Sequence, residues 1–385
     1  MKSNRESKLK NVRKVILGMF IILSAAGQQT AWSQERLVGA SVALTGPYAF
    51  AGVPSHEGMQ IAVDVVNASK MLGNAKLVVR YEDSASVRAQ ALTSVTRFAS
   101  NPGTLMMIGP TASPEALAVA PVANELKFPN LSATVTAPDV LKPGPWTFKT
   151  VENPEGPINF VTDYALKNYR PRRVALVFAS DNDGQILQKD VAKRRYQAAG
   201  VEVVGEIGVR VSDVDFSVLA TRLVASKPDL IFLTLVPEQG ANFISQVRQS
   251  GLDKSARVLG TESMSSERFI QMGGPAVEGV TFYAGWYSEA TTPGNKAFVD
   301  EYRRRFGKGA NVFAAQGYAS VLIAASAIKA AGDNVSRESL RAALAATKDI
   351  PVPLGEGTIS FVGDRVPRYG AVMLTVRDGK FVLVQ

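Results

Sequence analysis

Six short apolar-rich runs recur along this chain: Leu37–Leu44, Leu77–Tyr81, Leu105–Ile108, Val174–Phe178, Leu230–Val236 and Val258–Gly260. Between them stand segments of helical periodicity: Gly58–Asn67, Arg88–Phe98, Pro114–Leu126, Ile158–Asn168, Gln185–Ala199, Phe216–Ala225 and Ala241–Ser250. A strand that is apolar on both faces must be covered on both faces, and intervening helices supply that cover. The alternation therefore predicts an α/β protein built on parallel sheets, and the length suits two domains.

In open parallel sheets ligands sit beyond the carboxyl ends of the strands. Those ends read Thr45-Gly46-Pro47, Glu82-Asp83, Gly109–Ser113, Ser132–Thr136, Ser180–Asp183, Pro237-Glu238 and Thr261-Glu262, all polar or rich in Gly and Pro. The opposite loops, such as Ala199-Gly200, are plain connectors. The stretch Leu105–Leu141 is the most specific of these edges. Ser113-Pro114 and Thr136 followed by Pro138 both read as helix starts, where a hydroxyl precedes a proline in the first turn. Unpaired N–H groups at such starts attract an anion, so two of them side by side predict a carboxylate pocket.

Lys2, Arg5, Lys8, Lys10, Arg13 and Lys14 precede the uncharged run Val15–Gly27, and Ala31-Trp32-Ser33 fits a small-x-small cleavage pattern. Residues 1–33 are thus expected to be a signal peptide cleaved near Gln34. These six basic residues and Glu6 account for +5 of the formal +9, so the remainder is only mildly basic and no nucleic-acid partner is expected. No later segment reads as long and apolar enough for a membrane anchor, so an exported, soluble product is expected.

The chain has no cysteine, which excludes disulfides, thiolate metal sites, thiol nucleophiles and a lipid-modified cysteine. His56 is the only histidine, and its place after a proline at a loop-to-helix start favours a surface or capping role over catalysis. Asp181-Asn182-Asp183-Gly184 resembles part of a calcium loop, but Ala179 stands where a carboxylate should open it. The loop after Leu44 lacks G-x-G-x-x-G, and no GxxxxGK[ST] occurs. Neither an enzyme, a metal nor a cofactor is expected; recognition remains.

Several phrases in order carry a resemblance: Leu44-Thr45-Gly46-Pro47 with Gly52 and the helix His56–Asn67, Ile108–Ser113 with Ala118–Pro121, Leu131–Thr134, Phe148-Lys149-Thr150, and Gly355–Phe361. The chain resembles the periplasmic solute-binding proteins of ABC transporters in the branched-chain amino acid (Leu/Ile/Val) binding family. That resemblance implies the type I periplasmic-binding-protein fold, two Rossmann-like lobes with parallel sheets joined by three crossovers. We place these near Val151, Trp286 and Pro353. Lobe 1 is then 34–151 plus 286–352, and lobe 2 is 152–285 plus 353–385. The resemblance also implies a periplasmic location, a monomer, and a permease pair with cytoplasmic ATPases as partners. A sensor subunit of the same fold is the alternative from another class.

Family residues that bind an amino acid's carboxylate map onto Ser113 and the Thr134–Thr136 loop, and Ala112 beside Ser113 is a further expected ligand-binding position. Ser113 and Thr136 equally satisfy the simpler reading of helix caps. The acidic residue that holds the ammonium group in the family corresponds to Glu262, whose alternative is an exposed loop acid. Aromatic residues of the family's side-chain pocket correspond to Ala51, Asp183 and the Leu235-Val236 pair. Asp183 either meets a second polar group of the ligand or caps the following helix. Tyr48 is expected exposed at the rim, and Phe313 or Tyr318 either packs on the ligand or lies in the core. The ligand is expected to be a small carboxylate, an amino acid or an amine or amide relative, with an aromatic or other organic carboxylate as the alternative.

Overall fold

Chain order follows the alternation of strand and helix. The structure, a computed structural model, describes residues 34–384 apart from positions 362 and 364; the expected signal peptide lies outside the described residues. The first lobe opens with β1 (Glu35–Val42), α1 (Ala49–Ala68), β2 (Lys76–Asp83), α2 (Arg88–Ser100), β3 (Thr104–Ile108), α3 (Ser113–Glu125), β4 (Asn130–Ser132) and β5 (Thr147–Lys149). These strands form a wholly parallel sheet in the order β2-β1-β3-β4-β5. β1 is buried from Arg36 to Val42, as a strand covered on both faces must be.

The second lobe follows with α4 (Glu155–Asn168), β6 (Arg173–Ala179), α5 (Asp183–Ala198), β7 (Glu202–Val209), α6 (Ser217–Ala225), β8 (Leu230–Thr234), α7 (Pro237–Gln249), β9 (Arg257–Gly260), α8 (Glu267–Gly273) and β10 (Thr281–Ala284). The chain then returns to the first lobe as α9 (Asn295–Phe306), α10 (Val312–Ala331), α11 (Arg337–Ala345) and the short pair β11 (Ile350–Pro351) and β12 (Thr358–Ile359). It ends on β13 (Val372–Arg377) and β14 (Lys380–Leu383). Their hairpin joins the second sheet antiparallel, giving the order β14-β13-β10-β9-β8-β6-β7. Asp378 and Gly379 both take positive φ at its tip, the two-residue turn that matches strand twist.

Two packing details shape the first lobe. A Cβ on Gly58 would stand 2.0 Å from the Ala314 carbonyl oxygen, and one on Gly317 would stand 2.1 Å from that of Ser55. Glycine at both positions lets α1 and α10 pack backbone to backbone. Contrary to the expectation that no later segment matches a membrane span, α10 is long and apolar enough for one. Its apolar surface is instead buried in the first lobe's core. His56 also departs from expectation: it lies inside α1, half-buried, with its ring edge-on to Tyr81 at 4.3 Å.

The third crossover lies later than Pro353. Val352, Leu354, Ile359, Phe361 and Tyr369 all pack in the first lobe's core, and β13 starts at Val372, so the chain passes over at 370–371. The apolar side chains of the β11–β12 region have their partners in the first core, which sequence order does not reveal. The crossovers are tied together by Glu152, whose carboxylate accepts from Tyr369 N at 2.5 Å and Gly370 N at 2.6 Å. Gly355 N donates to the Gly285 carbonyl at 2.9 Å.

Candidate functional site

The first lobe presents the loops after β3 and β4. Ala112 is the N-cap of α3 and Ser113 its first helical residue, followed by Pro114. Ser113 is therefore not the cap; Glu115 Oε2 closes the turn by accepting from Ala112 N at 3.0 Å. Ser113 Oγ accepts from Ala137 N at 3.3 Å, which leaves its hydroxyl proton to be donated. Thr134 Oγ1 donates to the Thr111 carbonyl at 2.6 Å, so toward a ligand it offers lone pairs. Thr136 is held by its carbonyl, which accepts from buried Lys149 Nζ at 2.7 Å. The second expected helix is one 3-10 turn, Pro138–Leu141, capped by Ala137 rather than Thr136. Only α3 is long enough to act as an anion-attracting helix start, because dipoles add along several turns.

The second lobe presents the loops after β6 and β9. Glu262 opens a 3-10 turn directly after Thr261 and is 6% exposed. It is not a surface acid. Burial raises its pKa to about 7, against hydrogen bonds from Gln316 and the Gly285 backbone, with nearby Glu152 raising it further. Gln316 comes from α10 of the first lobe, its Nε2 lying 3.4 Å from Glu262 Oε1. Asn182 caps α5, accepting from Gly184 N at 3.0 Å and Gln185 N at 3.2 Å. Its Nδ2 donates to Tyr48 OH across the cleft at 3.2 Å.

One cavity gathers these groups. It is lined from the first lobe by Tyr48, Phe50, Ala51, Thr111, Ala112, Ser113, Thr134, Thr136 and Phe313, and from the second by Asn182, Gln185, Gln188, Glu262 and Ser263. Seven of the expected positions thus meet: Tyr48, Ala51, Ala112, Ser113, Thr134, Thr136 and Glu262. Tyr48 is buried rather than at an exposed rim, and burial pushes its hydroxyl up to about 12. Phe313 stands edge-on to Phe50 at 5.4 Å, whereas Tyr318 packs on Phe298.

Three expected positions are elsewhere, among them Leu235, which is buried in the second lobe's core. Asp183 is the exposed first residue of α5 and does not line the cavity, since Asn182 holds the cap and turns the next side chain outward. Val236 is buried with Ala43, Tyr48 and Ala112, and borders an outer groove instead. Gln185 and Gln188 take the wall that Asp183 was expected to form. The i, i+3, i+6 spacing from Asn182 puts all three amides on one helix face, a pattern legible in the sequence.

The closed arrangement depends on Gly184. A Cβ there would stand 2.2 Å from Thr136 Oγ1 and 2.6 Å from Ser113 Oγ, both from the opposite lobe. Among the described residues, no group of three or more His, Cys, Asp or Glu is arranged to hold a metal.

The profile of the periplasmic binding protein family matches residues 37–380. The chain belongs to the periplasmic binding proteins. Within that family it is similar to a Leu/Ile/Val-binding protein of Rhizobium johnstonii, 29% identical over 85% of this chain and 88% of the relative. A leucine-binding protein from Thermotoga maritima superposes with a TM-score of 0.84 at 24% identity, covering 91% of this chain and 97% of the other. A solute-binding protein from R. palustris, solved in complex with benzoate, superposes with a TM-score of 0.82 at 21% identity, covering 91% and 95%. This periplasmic binding protein therefore has the type I fold, two parallel α/β lobes facing one cleft.

Proposed function

We propose that this periplasmic binding protein is the exported solute-binding component of an ABC importer and captures a small zwitterionic ligand by closure of its lobes. One observation carries the reading: the hydroxyls of Ser113 and Thr136 on one lobe face the same cavity as the buried carboxylate of Glu262 on the other. Ser113 and the start of α3 offer donors to a ligand carboxylate. Glu262 and the lone pairs of Thr134 accept from its ammonium. Burying Glu262 charged and unpaired is unfavourable, so a cationic group is its natural partner. A ligand that touches both lobes shifts the open–closed equilibrium toward the closed form by its differential affinity. The closed form then docks on a permease pair driven by cytoplasmic ATPases, and no chemical step is required.

A second reading has its own observation. The Phe50–Phe313 pair lines the cavity edge to face, and a protonated Glu262 needs no cationic partner, which suits an aromatic carboxylate. Calorimetric titration of the purified protein with a panel of L-amino acids and with benzoate separates the two. Binding of amino acids that is lost in Glu262→Gln supports the zwitterion. Binding of benzoate alone, unchanged in that variant, replaces it.

A further inference from the structure

The wall opposite the clamp carries hydrogen-bonding groups that the protein itself does not pair. Gln185 is 6% exposed and Gln188 is 3% exposed, both line the cavity, and the side-chain Oε1 of each has no partner. Gln188 Nε2 lies 3.3 Å from Tyr283 OH, so the other end of its amide is the one left to the cavity. Asn182 is different, because Gly184 N, Gln185 N and Tyr48 OH already use both ends of its side chain. A buried acceptor without a donor is unfavourable, and such groups are rare in folded proteins unless a ligand or water completes them.

We infer that Gln185 and Gln188 select a zwitterion whose side chain ends in a carboxamide, in place of the aliphatic side chain that the chain's relatives are named for. An aliphatic side chain leaves both acceptors unpaired. Turning either amide over would present N–H instead of C=O to the cavity. A carboxamide carries both a donor and an acceptor, so it pairs with the wall in either setting, while Phe50 and Phe313 cover its methylene stem. This rests on the zwitterion reading above and names the chemistry of the ligand's remaining end.

The test uses ligand pairs of matched shape: L-asparagine with L-leucine, and L-glutamine with L-homoleucine, each titrated calorimetrically into the purified protein beside benzoate. One amide member is expected to bind at least about tenfold more tightly than its apolar twin, the effect of leaving a buried acceptor unpaired. Replacing both glutamines, Gln185→Leu with Gln188→Leu, should erase or invert that ratio; should this variant fail to fold, the ratio measured on the unaltered protein decides. An apolar twin that binds as tightly as its amide overturns the inference and leaves the zwitterion reading standing. Failure of all four overturns the inference, and failure of the whole L-amino-acid panel removes the zwitterion reading itself, a benzoate signal in that case assigning the site to an aromatic carboxylate.

Discussion

The two walls of the cleft are polar in different ways. On the first lobe two hydroxyls are tied into the backbone, Thr134 donating to the Thr111 carbonyl and Ser113 accepting from Ala137 N, while Thr136 is anchored through its own carbonyl by Lys149. On the second lobe Glu262 is buried, with one long hydrogen bond at 3.4 Å from the opposite lobe, and Gln185 and Gln188 keep unpaired oxygens. The first wall is preorganised and the second is unsatisfied. A preorganised wall binds the feature common to many ligands with little ordering loss, and an unsatisfied wall discriminates, because only the right ligand pairs its groups.

Four experiments break or sharpen this contrast, each read by titration with the tightest-binding amino acid of the panel. Glu262→Gln should show the largest effect, about 2–5 kcal/mol of lost affinity at pH 8, since it removes one partner of a buried charged pair. A loss smaller than 1 kcal/mol would place the ammonium elsewhere. Gly184→Ala should follow, with the added Cβ disfavouring closure by about 1–3 kcal/mol. Small-angle scattering should then show the protein remaining open at ligand concentrations that close the unaltered form.

Ser113→Ala should weaken binding by roughly 1–2 kcal/mol, with the fold intact, because a ligand carboxylate loses one donor. Unchanged affinity would leave Ser113 a purely structural residue. Tyr48→Phe should have the smallest effect, about 0.5–1.5 kcal/mol, by removing the bond from Asn182 that spans the cleft. It should act on the closed form for every ligand alike, so a change in ligand preference would contradict it.

Acidity distinguishes the walls further. Glu262 in the closed form has its pKa raised from 4.5 to about 7, so the protonated form is the one that folding and closure favour. That contribution to stability is complete below about pH 4.5 and is lost as the pH rises through about 7. A bound ammonium acts in the opposite sense, favouring the carboxylate. Affinity for a zwitterion should therefore climb as the pH rises toward about 7, by up to about tenfold per pH unit, and level off above. Glu262→Gln should flatten that profile. The clamp, built from hydroxyls, contributes no such slope.

The parallel α/β class, the cavity-lining strand edge and the Asp378-Gly379 hairpin were legible because they rest on local period and turn chemistry, which neighbouring residues dictate. The Ser113, Thr134 and Glu262 positions were legible because each directly follows a buried strand, where the sheet points its loop at the cleft. Asp183 was misplaced because a one-residue shift of the cap, from Asp183 to Asn182, turns a side chain from the cavity to solvent. Thr136 and Pro138 read as a helix start, but the following segment closes into a single turn against the first lobe.

By itself the sequence determined the alternation of strand and helix, most of its order and the loop edge that lines the cavity. Only the tertiary structure decided which groups meet: Gln316 reaching Glu262, Asn182 reaching Tyr48, and Gly184 admitting Thr136. Each of these is a contact between lobes, formed by residues far apart in the chain. The physical reason is that local propensity acts over a few residues, whereas burial, unpaired acceptors and a raised carboxyl pKa arise only when two surfaces exclude water together.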